Sequence, residues 1–149
     1  PGLLHRPALL TNAADRTSPI IRGAHIRQMY LCDELGMAPA EAVAARETEL
    51  GDINDMPNRN RTALLTEGPA CMGCHSQINN LGFPFEKFNP LGQVRALEPV
   101  FNQSGALLRE FPIDTQVTDP RIESGGPSQL QDSIELVNAL ARSKKAQAC

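Results

Sequence analysis

Between residues 71 and 75 the chain reads Cys-Met-Gly-Cys-His, two thiols and an imidazole within five positions. Two cysteines three positions apart on a tight turn can each add to one vinyl group of a haem, while the histidine that follows offers its ring to the iron. Met72 and Gly73 are small or flexible enough to leave the ring edge clear. Gly68 and Pro69 favour a break before the motif, so that a short helix beginning near Ala70 carries His75 onto the iron. Three other readings stand beside this one. A thioredoxin-like redox pair needs a strand-turn-helix context and gives the histidine no role. A zinc knuckle needs two more ligands at comparable spacing, whereas the other cysteines, Cys32 and Cys149, are remote. The third is chance occurrence. Covalent haem is the reading that uses all three side chains.

Other residues are candidates for supporting roles. After His75 the apolar positions Ile78, Leu81, Phe83, Phe85, Phe88 and Leu91 are interrupted by Gly82, Pro84 and Pro90, a spacing that suits a loop draped over a flat apolar ligand. Phe83 and Phe85 are therefore expected at a haem edge. Arg95 could fork onto a haem propionate, with an ordinary surface arginine as the equal alternative. His25 and Met29 lie four apart on one helical face and could meet the same neighbour, although core filler plus a surface histidine is the plainer reading. Asp52, Asn54 and Asp55 bring oxygen ligands close together, but the glycine and terminal glutamate of a calcium loop are not in place.

Composition agrees with a small exported haem protein. The 149 residues, a length typical of one domain, include no Trp, one Tyr, five Phe, eleven Gly and twelve Pro. A chain this rich in loops and poor in aromatics builds a thin core, and a buried haem would supply apolar bulk. The formal charge of −3 and pI near 5.6 come without a basic stripe, which argues against nucleic acid as a partner. No apolar run is long enough to span a bilayer and no signal peptide is present, so the chain is expected to start after processing or to be a piece of a longer one. In an exported protein two leftover thiols are more often joined than free, which pairs Cys32 with Cys149; two unpaired buried cysteines are the alternative.

The elements follow from pattern. Residues 1–17 read as an extended or one-turn helical lead-in. Ser18-Pro19 reads as an N-cap with proline at the first helical position, opening an amphipathic helix from Ile20 to Leu35 that Gly36 ends. Pro39 opens a second helix, closed by Gly51. Residues 51–61 read as a loop, and Thr62 as the cap of a short helix through Thr66. Val94–Phe101 and Ala106–Val117 read as a hairpin around Asn102–Gly105, with Pro112 confining its strand to an edge. Ser128 is expected to cap a closing helix that runs from Leu130 through Ala141, with Lys144 and Lys145 near its end.

These pieces together resemble the haem-binding C-terminal domain of large multidomain c-type cytochromes of unknown function, found in exported proteins of environmental bacteria. The resemblance rests on DRTSPIIRG at Asp15–Gly23, LCDEL at Leu31–Leu35, CMGCHSQIN followed by LGFPFEKFNPLGQVR, FPIDT at Phe111–Thr115 and the closing KAQAC. The LGF-x-F-E-x-F segment is more specific than the haem motif, which every c-type cytochrome shares. Asn79-Asn80 stands where the family has Asp-Pro or Asn-Pro, and the family domain continues past the closing cysteine into an aromatic-rich helix.

The resemblance implies a mainly α, cytochrome-c-like helical domain over residues 1–149, around one covalent haem c, with a small β-hairpin after the haem motif. It implies electron transfer in the periplasm or another extracytoplasmic place, with a redox partner protein or a neighbouring domain of the same polypeptide as donor. His75 would be the proximal iron ligand, and Cys71 and Cys74 the thioether anchors. The alternatives are a peroxidase-like or oxidase-like haem enzyme with an open iron position, and an assembly module that haem staples together. No Met or His follows His75, which excludes the downstream methionine of common small cytochromes. A Met or His distal ligand supplied by this chain is expected from upstream, from Met56, His25, Met29 or His5, since Met72 lies inside the attachment loop; other ligands or an open position are the alternative. Met56, in an irregular loop, is the first choice and His25 the second.

Overall fold

The computed structural model describes residues 2–36 and 40–149. Among them are seven α-helices and two small antiparallel ladders, a mainly α fold with a minor β part. A short lead-in, a 3₁₀ turn at Leu3–His5 and α1 at Pro7–Leu10, precedes the two helices on which the rest is assembled.

These are α2, Pro19–Tyr30, and α5, Pro69–Gly82. Each begins with proline at its first position, where the missing N–H costs nothing and φ is already helical. They cross where glycine removes a side chain. A Cβ on Gly23 would strike the Ile78 carbonyl, and one on Gly82 would strike that of Pro19. Since residue 19 meets 82 and residue 23 meets 78, the helices run antiparallel with backbones in contact. The contact leaves their other faces to side chains: Ile26, Leu81, Phe83 and Phe85 join Leu4, Leu10, Val117, Ile122, Leu130, Leu136 and Leu140 in one buried cluster.

Helix α2 is shorter than its apolar pattern suggests. It ends at Tyr30 rather than Leu35 because Cys32 turns left-handed, φ 50°, and the N–H of Asp33 donates back to the Arg27 carbonyl. That turn brings Asp33 to the Arg27 guanidinium at 3.1 Å and Cys32 to its disulfide partner Cys149, Cα–Cα 5.5 Å. The Cys32–Cys149 pairing expected from the sequence is thus present. Ser18 does not cap α2 with its side chain; its hydroxyl accepts from Asn12 Nδ2 at 2.7 Å.

Helix α3, Ala40–Leu50, closes at Gly51, φ 62°, as expected; Pro39 lies outside the described residues. Helix α4, Asn58–Thr66, starts four residues earlier than the expected cap at Thr62. Pro57 offers no side chain to its open N-terminus. Instead the Asn58 N–H donates to Glu98 Oε1 at 3.0 Å, a cap delivered from forty residues away. Arg46 ties α3 to α4 by donating to the Leu64 carbonyl and to Glu67.

The loop expected after His75 is instead the second half of α5. The helix runs on to Gly82, and a 3₁₀ turn, Phe83–Phe85, drives both rings into the core. The hairpin that follows is β1, Leu97–Phe101, against β2, Leu107–Pro112, turning at Asn102–Gly105. Asn102 Oδ1 accepts from the N–H groups of Ser104 and Ala106, and Gly105 takes φ 81°. The second strand stops at Pro112, short of Val117. Val117–Thr118 form β3, which pairs with β4, Gln129–Leu130. Leu130 is therefore a strand residue. The closing helix α6 begins at Ser133, capped by Asp132, whose Oδ1 accepts from Ile134 and Glu135 N–H groups. Glu135 returns the favour by accepting from the Gln131 N–H at 2.7 Å. Ser143 breaks the helix at Arg142 and caps α7, Lys144–Ala148.

Candidate functional site

Gly68, in extended conformation, and Pro69 launch α5, and the N–H groups of Cys71 and Met72 donate to the Gly68 carbonyl. Cys71, Cys74 and His75 stand at i, i+3 and i+4, so they share one side of the first two turns. Both cysteines are unpaired, Cys74 exposed and Cys71 half-buried. In a chain whose other two cysteines are bonded to each other, these two keep their thiols beside a histidine.

His75 is half-buried and its ring is held. Nδ1 lies 3.1 Å from Asn79 Oδ1, one turn further along α5. Asn79 is itself buried, and its Nδ2 donates to Thr66 Oγ1 at 2.7 Å. The Thr66 hydroxyl in turn donates to the Thr62 carbonyl at 2.8 Å. The directions are fixed from the far end: a carbonyl can only accept, so Thr66 donates to it and accepts from the amide. The amide oxygen is then left facing the imidazole, which must donate through Nδ1–H. In the neutral ring that arrangement leaves the lone pair on Nε2, the tautomer in which imidazole binds a metal through Nε2.

The other expected site residues are placed as follows. Phe83 and Phe85 are buried in the protein core; the Arg59 guanidinium sits 4.6 Å from the Phe83 ring centroid, and His5 packs against Phe85 and Phe88. Arg95 donates to the Glu86 carbonyl at 3.3 Å and lies 3.7 Å from the carboxylates of both Glu86 and Glu98. It borders a cleft of about 730 Å³ with Arg16, Leu97, Pro99 and Phe101, formed where β1 meets the loop before α4. His5 Nε2 is 2.9 Å from the Ser133 hydroxyl, and burial pushes its pKa down. His25 is exposed and borders, with Leu4, Leu9, Met29 and Phe85, a small apolar crevice. It follows Gly23 by two residues and so lies about 200° around α2 from the crossing with α5. Met56 is half-buried in the turn before α4, its carbonyl accepting from Arg16. Asn58 and Thr66 mark opposite ends of α4, about 12 Å apart by helical rise, so Met56 and the His75–Asn79–Thr66 chain sit at different ends of that helix. Met37, an upstream methionine that is not among the expected ligands, lies outside the described residues. Among the described residues no cluster of three or more His, Cys, Asp or Glu side chains forms a metal site.

One feature of the site has no local sequence signal: Asn79 lies one helical turn beyond His75, in a stretch whose glycines and prolines suggest a loop. On α4, the Arg61 Nε is sealed from solvent and has no hydrogen-bond partner among the described residues. Elsewhere a dense charged cluster gathers around Glu86. Glu86, buried, accepts from Thr17 at 2.6 Å and is flanked by Arg22 at 3.7 Å, while Asn58 donates to Thr17. Burial raises the Glu86 carboxyl above the ordinary glutamate value, against the pull of Thr17 and Arg22. Its role is to fasten α2, α4 and the 3₁₀ turn after α5.

No curated protein and no solved structure matches the chain. Residues 1–98 match the family described as PSCyt3, a protein of unknown function (DUF1588). The matched stretch holds α1 to α5, the 3₁₀ turn with Phe83 and Phe85, and the whole Cys71–His75 motif. The segments Phe111–Thr115 and Lys145–Cys149 fall outside it. With about two thirds of its length matched, the chain belongs to the PSCyt3 family of unknown function.

Proposed function

We propose that this chain is a monohaem c-type cytochrome domain that carries single electrons between redox partners outside the cytoplasm. The observation that carries the reading is the first two turns of α5, where two unpaired thiols and a histidine with a free Nε2 share one side. The donor set fits haem c: Cys71 and Cys74 would hold the porphyrin by thioether bonds and His75 would bind the iron. The Arg61 Nε and the Arg95 Nη2 are both sealed from solvent without a hydrogen-bond partner among the described residues, and each is a donor of the kind a propionate satisfies; Arg95 also lies beside two carboxylates. Haem, when bound, supplies a one-electron ferric–ferrous couple. The chain's own part is to fix the ring on a rigid helix and to set the environment of its axial nitrogen. A disulfide between Cys32 and Cys149 supports an oxidising compartment. No helix among the described residues is long and apolar enough to cross a membrane.

The distal position divides two readings. Met56 remains the first candidate, because His5 is engaged by Ser133 and two aromatic rings, and His25 and Met29 line the crevice on another side of α2. Met56 lies at the end of α4 remote from Thr66, and this favours a second reading in which the sixth position stays open and the domain is a peroxidase-like or oxidase-like haem enzyme. Visible spectra of the ferric and ferrous forms separate them. A low-spin spectrum indifferent to carbon monoxide supports electron transfer; high-spin iron that binds carbon monoxide and reacts with peroxide overturns it in favour of the enzyme.

A further inference from the structure

We propose that Asn79, oriented by Thr66, is the positioning residue that holds His75 in the Nδ1–H form and thereby sets the electron-donating strength of its Nε2. The inference rests on the haem reading above and goes beyond it to a residue outside the attachment motif. Three facts carry it. The Nδ1 to Oδ1 distance of 3.1 Å is that of a hydrogen bond. The Asn79 amide cannot turn over without losing its 2.7 Å bond to Thr66. Thr66 cannot reverse either, since its proton is committed to the Thr62 carbonyl at 2.8 Å. The chain crosses from α5 to α4, so the ring's orientation is coupled to the packing of two helices rather than to one flexible side chain. Metal-bound histidines donate their other ring N–H to an acceptor that raises their basicity, and removing such an acceptor changes metal affinity on the order of 10- to 100-fold.

An amide is a neutral acceptor of middling strength, and this makes the proposal testable by sign. A carboxylate at residue 79 pulls the Nδ1 proton harder, makes Nε2 a stronger donor and favours the ferric state. An apolar side chain removes the pull and favours the ferrous state. The experiment measures midpoint potentials and ferric spectra of the haem-loaded wild type, Asn79→Asp, Asn79→Leu, Thr66→Val and Thr66→Ser. Expected are a lower potential in Asn79→Asp and a higher one in Asn79→Leu, each tenfold change in the ferric-to-ferrous preference reading as about 59 mV. Thr66→Val releases the amide and is expected to give a mixture of ferric spin states, which Thr66→Ser restores to the wild-type spectrum. Potentials that stay put, or move in one direction in both Asn79 variants, overturn the proposal, because a merely structural Asn79 predicts that. Should Asn79→Leu fail to fold, the sign in Asn79→Asp and the Thr66 pair decide. A wild-type protein without covalent haem overturns the haem reading and this inference with it; a loaded protein with unmoved potentials overturns the inference alone.

Discussion

Removing the Cys32–Cys149 bond is expected to cost this protein several kcal/mol, because the bond closes a long loop. The two residues are 117 positions apart. In the chain-entropy treatment, a loop of that size removes about 16 cal/mol/K from the unfolded ensemble, or roughly 4.9 kcal/mol at 25 °C. The native ends are also held without the disulfide. Asp33 bonds Lys145 at 2.5 Å and Arg27 at 3.1 Å, and Glu123 accepts from the Ser143 hydroxyl and the Lys145 N–H, so α7 stays docked and the native state is little altered. The perturbation therefore acts mainly on the unfolded chain, which makes its magnitude calculable. Cys32→Ser/Cys149→Ser and the wild type, both haem-loaded, would be unfolded in guanidinium chloride. The expected loss is about 4 to 5 kcal/mol. A double variant within about 1 kcal/mol of the wild type would refute the reasoning, since it would mean that unfolding leaves the two ends together regardless.

Other outcomes follow from single contacts. Gly23→Ala is expected to lose about 1–3 kcal/mol or more in denaturant unfolding, since a methyl there meets the Ile78 carbonyl and not a yielding side chain. Asp132→Ala removes two N-cap bonds of α6 and should lose about 1 kcal/mol, with most of that recovered in Asp132→Asn. Burial pushes the Asp33 carboxyl up, but hydrogen bonds from Lys145 and Arg27 outweigh it and hold the pKa below the ordinary aspartate value. Its stabilisation is then present above that value and lost as pH falls through the lower folded one; an acid titration of stability should show this in the wild type and not in Asp33→Asn. Met56→Ala is expected to convert a low-spin ferric spectrum to high-spin if Met56 is the distal ligand, and an unchanged low-spin spectrum would reject it and direct the same test to His25.

What could be read from the sequence was whatever neighbouring residues determine. The helix from Ala40 to Leu50 and the hairpin around Asn102–Gly105 each carry their own local chemistry, and Cys32–Cys149 was legible only as the two cysteines left outside the 71–75 motif. The errors came where distant residues decide. Helix α4 begins at Asn58 because Glu98 caps it from β1, and no residue near 58 announces that. Helix α5 continues past His75 because Gly82 is wanted for the approach of Pro19, so a glycine read as a breaker is a packing residue. Phe83 and Phe85 lie in the buried core with Leu81, Leu136 and Leu140, neighbours that the spacing of apolar positions alone does not name. Leu130 belongs to a two-residue ladder with Val117, too short to leave a period, so the apolar pattern starts the closing helix before its true beginning at Ser133. The Asn79–Thr66 link to His75 spans two helices and thirteen positions, beyond the reach of any motif.

Electron transfer by this chain requires that Cys71 and Cys74 hold a haem. The most direct measurement is the denatured intact mass of the chain produced in an oxidising compartment with haem-attachment machinery, read beside that of Cys71→Ala/Cys74→Ala. The expected result is a wild-type mass greater by one haem that survives denaturation, and a double variant at its bare polypeptide mass. A wild-type chain at its bare mass, with the Cys71 and Cys74 thiols both open to alkylation, would contradict it.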